Sequence, residues 1–160
     1  MTGRNYTAST LTLIRGFEGF EAKAYPDGGA YSIGYGSQTW EDGTPVKAGQ
    51  TITKERAEKL LTHHVARFAT TVNAYITVPL TQGQFDALTS FTYNVGGGAL
   101  FSSTLRKKVN ANPNDFTAIA TEFRKWVFSK GVKLNALIAR REAEILVYVG
   151  SKKKTSRVGS

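Results

Sequence analysis

The stretch "GFEGFEAKAYPDGGAYSIGYGS", residues 16–37, places an acid, Glu18, beside two glycines and a second acid, Asp27, nine positions later. A hydroxyl, Ser32, follows within a run of small and aromatic residues. Upstream, Leu11, Leu13, Ile14 and Phe17 recur at roughly helical spacing, with Ser9 or Thr10 expected as N-cap. Glu18-Gly19 then closes that helix. Beyond it the pattern changes. Tyr25, Tyr31, Ile33 and Tyr35 favour strands, and Pro26-Asp27-Gly28-Gly29 is a turn signal between two runs, so residues 22–38 read as a β-hairpin.

Further along, residues 39–52 read as irregular or extended chain with a turn at Asp42-Gly43. A long helix is expected from about Thr53 to residue 76, its apolar face being Ala57, Leu60, Leu61, Val65, Phe68, Val72 and Tyr75. Thr81 with Gln84 is a capping box opening a helix that carries Phe85, Leu88 and Phe91. The run Gly96-Gly97-Gly98 reads as a helix stop and flexible connection, or as a loop lining a binding site. Short helices at 103–110 and 115–124 and a last helix from Leu134 to Val149 complete the chain.

The fold class is therefore α+β and mainly helical: a small N-terminal antiparallel sheet lobe, a larger helical lobe, and a cleft between them. At 160 residues the chain is long enough for a sizeable core and is expected to form a single domain, with 151–160 a basic mobile tail.

The net charge is +9, from 21 basic and 12 acidic residues, which favours a polyanionic partner such as nucleic acid, anionic lipid or an acidic wall polymer. No basic stripe interleaved with aromatics argues for nucleic acid. No segment approaches the ~18 apolar residues of a membrane span, so stable membrane insertion is not expected. There are no cysteines, which excludes disulfides and thiolate metal sites. Residues 1–12 lack the apolar core of a signal peptide, and cytoplasmic accumulation is the expectation.

Cleaving an acetal between sugars needs a proton for the leaving oxygen and stabilisation of a cationic transition state, and two carboxylates in different environments supply both. Glu18, flanked by Phe17 and by Gly19-Phe20 at a helix C-terminus, suits the acid, because the helix dipole disfavours its charged form. Asp27, in an exposed turn with glycine backbone donors nearby, suits the ionised role, and Ser32 on the returning strand suits the holding of a water. Against this, a Glu at a helix end is usually a solvated surface residue, and Pro-Asp-Gly is usually only a turn.

At these residues the chain resembles the phage-type lysozymes, the endolysin muramidases of glycoside hydrolase family 24. The resemblance rests on Glu18-Gly19, Asp27 and Ser32-Ile33-Gly34-Tyr35-Gly36-Ser37. It continues through Phe91-Thr92-Tyr93-Asn94-Val95-Gly96, Phe101-Ser102-Ser103-Thr104-Leu105 and Leu137-Ile138-Ala139-Arg140-Arg141-Glu142-Ala143-Glu144, so that it spans roughly residues 10–149. It implies a lysozyme-like fold and hydrolysis, with inversion, of the β-1,4 bond between N-acetylmuramic acid and N-acetylglucosamine in peptidoglycan. It also implies catalysis by Glu18, Asp27 and Ser32 without a cofactor, substrate contacts at Tyr35, Gly36 and Asn94, and action as a monomer. It further implies release to the wall through a membrane lesion made by another protein. Two positions depart from the family. Ser32 stands where Thr is frequent, keeping the hydroxyl but losing the methyl that limits its rotamers, which loosens the expected positioning of the water. Ser37 stands where His is common, which puts the local pairing there in question. A lytic transglycosylase, which uses one acid and forms an anhydro sugar, and a non-catalytic basic binding module are the alternatives.

Other constellations carry less. His63 and His64 are adjacent on a helix and point apart, so a metal site is not expected. Gly34-Tyr35-Gly36 lacks the following helix of a nucleotide loop and reads as a strand that another group approaches closely. Trp40 and Trp126 suit either sugar stacking or core packing. Arg140 and Arg141 either reach Glu18 or a neighbour, or lie on a solvated face.

Overall fold

The computed structural model describes residues 4–150, so the expected basic tail at 151–160 lies outside the described residues. The chain divides into two compact units, one spanning Thr7–Arg67 and the other formed by the residues before and after that span.

The Thr7–Arg67 unit opens with α1, Ala8–Glu18. Its N-cap is Thr7, not Ser9 or Thr10. The buried Thr10 hydroxyl instead accepts the Thr7 N–H at 3.0 Å, satisfying a donor in front of the helix and starting it early. Gly19 ends the helix with φ +68°, and its N–H bonds back to the Arg15 carbonyl at 3.2 Å. Strands β1, Glu21–Asp27, and β2, Ala30–Gly34, pair antiparallel with Tyr25 opposite Ser32 and Asp27 opposite Ala30. The loop is only Gly28-Gly29, with φ +62° and +89°. Two successive positive-φ residues make the type I′ turn whose twist matches the strands. Pro26 and Asp27 are thus strand residues, and the expected four-residue turn is shorter than it read.

The other edge of β1 is bonded by the segment at 50–52. Ala24 N–H donates to Gln50 O and Ile52 N–H to Ala22 O, both at 2.9 Å. The expected Asp42-Gly43 turn is present, and Asp42 Oδ1 accepts from the Thr44 N–H and hydroxyl at 2.9 and 2.7 Å. Helix α2, Lys54–Tyr75, follows with Thr53 Oγ1 accepting from Arg56 N–H. The unit boundary falls within it. Ala57, Leu60, Leu61 and Val65 are buried as the periodicity predicts.

In the second unit the buried face continues through Ala69, Val72 and Ile76, and Phe68 and Tyr75 are only partly buried. Helix α3, Gln82–Val95, carries the predicted capping box: Thr81 Oγ1 accepts from Gln84 N–H, and Gln84 Oε1 accepts from Thr81 N–H. Gly96 ends it with φ +95°, but Gly97 and Gly98 then begin α4, Gly97–Ser102, instead of forming a flexible connection. Close packing against the Thr71 side chain, where a Cβ on Gly97 would sit 3.1 Å from its methyl, explains the small residue. Helices α5, Thr104–Ala111, and α6, Phe116–Arg124, begin at Ser103 and Asp115, whose side chains accept from Arg106 and Ala118 N–H. A hairpin absent from the expectation joins β3, Phe128–Ser129, to β4, Val132–Lys133, before α7, Asn135–Val149. Its turn places Lys130 and Gly131 at positive φ. The core of this unit includes Phe85, Leu88, Phe91, Leu100, Phe123, Ile145 and Tyr148.

Candidate active site

The chemistry-bearing residues of the opening stretch all fall in the Thr7–Arg67 unit. Asp27 is the exposed last residue of β1, and Ser32 is fully buried on β2. In an antiparallel pair side chains alternate across the sheet, so Tyr25, Asp27 and Ser32, with Tyr25 directly opposite Ser32, share one face. Across it Ser32 Oγ donates to Asp27 Oδ2 at 2.7 Å, a short charge-assisted bond. The strand partner thus supplies the donor expected from the glycine turn. Loss of the Thr methyl at position 32 does not leave the hydroxyl loose, because this bond fixes its rotamer.

Glu18 is the last residue of α1 and is half-buried. Its carboxylate lies against the bare Cα of Gly36: a Cβ built there would stand 2.5 Å from Oε1 and 3.1 Å from Cδ. The turn that holds Gly36 is closed on itself, since Ile33 N–H donates to Ser37 O at 2.9 Å and Ser37 N–H to Ile33 O at 3.0 Å. Local pairing therefore survives Ser in place of His at position 37. Gly34 is equally constrained, its missing Cβ facing Ala57 Cβ at 3.0 Å. Both glycines serve close approach, as the sequence suggested.

In the sequence Tyr25 reads only as a strand former. Its hydroxyl pKa is raised, first by burial and then by the negative charges of Asp27 and Glu18, while a bond with Ser32 opposes the shift. Both carboxylates thus act on one phenol. The signal was available in the two-residue spacing from Tyr25 to Asp27, which puts them on one strand face. Tyr35 is 5% exposed. Burial, followed by a hydrogen bond to and the charge of Glu58, raises its pKa. Glu58 in turn pairs with Arg15 on α1 at 2.9 Å. The ring of Tyr35 also meets that of Phe20 at 5.6 Å.

Asn94 belongs to the second unit, exposed on α3. Its Oδ1 accepts from Arg141 Nη2 at 2.8 Å. The solvated-face reading of the two arginines is wrong: Arg140 and Arg141 are buried and pair with fully buried Glu144 at 3.2 and 2.9 Å. Ser90 Oγ donates to the same carboxylate at 2.6 Å. An apolar helical face here carries an ion cluster because each charge meets its partner one helical turn away. Trp126 packs edge-on against Phe91 at 5.5 Å, a core role. Trp40 is half-buried, with Nε1 donating to Gln50 Oε1 and the Arg56 guanidinium over its ring. His64 Nε2 bonds the Thr39 carbonyl at 2.9 Å. Among the described residues no group of three His, Asp or Glu side chains is placed to hold a metal ion.

Glu18 at the end of α1 and the Asp27–Ser32 pair on the following hairpin thus stand in one unit. Residues 15–144 match the family model described as phage lysozyme, and the chain belongs to that family. It is 44% identical over 157 residues to an endolysin of Bacillus phage B103, covering 96% of this chain and 57% of that protein. The chain thus spans little more than half the length of that relative. An endolysin of Acyrthosiphon pisum secondary endosymbiont phage 1 is 39% identical over 84% of this chain and 90% of its own length. The solved endolysin from Escherichia coli O157:H7 phage FAHEc1 superposes with a TM-score of 0.83 at 40% identity, covering 94% of this chain and 96% of that one. The fold is the mainly helical α+β fold of these lysozymes.

Proposed function

We propose that this chain is an endolysin muramidase: a glycoside hydrolase, acting as a single catalytic domain over residues 1–160, that cleaves the β-1,4 bond between N-acetylmuramic acid and N-acetylglucosamine in peptidoglycan. The observation that carries this reading is the Ser32–Asp27 hydrogen bond on a hairpin whose following turn, at Gly36, lies against the Glu18 carboxylate. Glu18 is the general acid that protonates the leaving oxygen. Asp27 and Ser32 position a water and activate it, and the Asp27 charge stabilises the oxocarbenium-like transition state. Water attacks the face opposite the leaving group, so the anomeric centre inverts. The Tyr35-Gly36 turn and Asn94 contribute substrate contacts, with the Asn94 amide suited to an N-acetyl group. Its Oδ1 is already engaged by Arg141, which leaves the amide nitrogen for that contact. The chain acts as a monomer and requires no cofactor.

The net charge of +9 draws the protein to anionic wall polymer. Among the described residues no helix is long and apolar enough to cross a membrane. Cytoplasmic accumulation and passage through a lesion made by another protein follow from this reading.

The test is Glu18→Gln on purified peptidoglycan, read by turbidity and by mass spectrometry of the soluble muropeptides. The wild type should release reducing muramic acid ends, and the variant should bind wall without clearing it. Anhydro ends would assign a lytic transglycosylase. Clearing by the variant would remove Glu18 from the acid role.

A further inference from the structure

We infer that Gly36 is a positioning residue for the acid: its bare Cα forms the wall that sets where the Glu18 carboxylate sits, so any side chain at position 36 displaces the acid while leaving the fold standing. The inference rests on the reading of Glu18 as general acid and adds what aims it.

Three observations carry it. First, the approach is closer than real Cβ contacts allow, at 2.5 Å from Glu18 Oε1 to a Cβ on Gly36. Second, the turn cannot retreat. It is clamped by the reciprocal Ile33–Ser37 backbone bonds, and Tyr35 between them is buried, packed on Phe20 and bonded through its hydroxyl to Glu58. Glu58 is itself held by Arg15, three residues before Glu18 on α1. The network that fixes the turn and the helix bearing the acid are one structure. Third, the atom in the way is the end of a flexible side chain and not backbone. An added methyl therefore displaces the Glu18 carboxylate sooner than it opens the turn. A displacement of about 1 Å at a catalytic group is enough to lower turnover ~100-fold.

Positive φ at Gly36 would by itself strain any L-residue, and this must be separated from the contact. Gly49 supplies the control. It has the same φ, +85°, and a Cβ there meets nothing within 4 Å. Backbone strain is common to Gly36→Ala and Gly49→Ala; contact with the acid belongs to the first alone.

Both variants are compared with wild type on peptidoglycan, by thermal denaturation, and by the side-chain carboxyl 13C resonance of Glu18, assigned with Glu18→Gln. Gly36→Ala should lose about 100-fold in kcat and shift the Glu18 resonance. Gly49→Ala should keep kcat within about twofold and the resonance in place, with a Tm within about 2 °C of Gly36→Ala. Equal turnover in the two variants, an unmoved Glu18 resonance in Gly36→Ala, or unfolding of Gly36→Ala alone would each overturn the inference. If Glu18→Gln proves active, the general-acid reading fails by that result, and the resonance still decides whether Gly36 holds the carboxylate.

Discussion

Ser32 Oγ, fully buried on β2, donates a 2.7 Å hydrogen bond to Oδ2 of Asp27 at the end of β1. The pair is diagonal across a hairpin whose loop is only two glycines long, so neither residue can shift without disturbing strand register. A hydrogen bond to a charged acceptor contributes roughly 1.5–3 kcal/mol.

Ser32→Ala deletes this bond and leaves Asp27 to find its own rotamer. We expect kcat to fall about 10- to 100-fold, the fold-change equivalent of that bond, with KM little changed. Ser32→Thr keeps the hydroxyl and should retain activity within a few-fold. Steady-state kinetics on soluble wall fragments separate the two variants. Full turnover by Ser32→Ala would show that Asp27 needs no orienting partner.

In the second unit, Glu144 neutralises two buried guanidinium groups. Glu144→Ala would leave Arg140 and Arg141 buried without their shared carboxylate. Removing one partner of a buried ion pair costs about 3–5 kcal/mol, which for a chain of this size lowers Tm by roughly 6–20 °C. Urea or thermal unfolding measures it. An unchanged midpoint would mean that water reaches the cluster and solvates the arginines.

Stability should fall on acidification through the His64 ring. Burial is the largest influence on it and holds its pKa below the ordinary 6.5. The Thr39 carbonyl and Glu41 pull the pKa up, and His63 and Arg67 push it down. The folded pKa lies below the unfolded one, so the unfolded chain takes the proton first. Stability from this group is therefore full above about pH 6.5 and is lost as pH falls toward the folded pKa. His64→Gln keeps a donor for Thr39 and should flatten the Tm profile between about pH 7.5 and 5. A profile as steep as that of wild type would assign the acid sensitivity elsewhere.

Local signals sufficed wherever a backbone choice is made by near neighbours. The Thr81–Gln84 capping box, the glycine stop after Glu18 and the buried face Ala57, Leu60, Leu61 and Val65 were all legible, because each depends on residues within one or two turns. The β3–β4 hairpin was not, since four strand residues around Lys130-Gly131 are too few to show alternation. Nor was the Arg140–Glu144–Arg141 cluster. Its helical spacing was visible, but only packing of α3 against α7 shows that the charges face inward and meet Ser90 and Asn94.

The same division runs through the site. The sequence by itself determined which groups are present and their order along the hairpin: an acid closing a helix, a second acid at a two-glycine turn, a hydroxyl on the returning strand, and a motif that ties them to a lysozyme family. Strand register, set by how the two-glycine loop closes, decided that Ser32 bonds Asp27 and stands opposite Tyr25. The folded chain also decided that Glu18 rests on Gly36. That contact joins positions 18 residues apart through a turn clamped by Ile33 and Ser37 and anchored by Tyr35 on Glu58. A residue's identity is written locally, but the Ser32–Asp27 bond and the Glu18–Gly36 contact arise only when strand pairing and burial bring separate segments together.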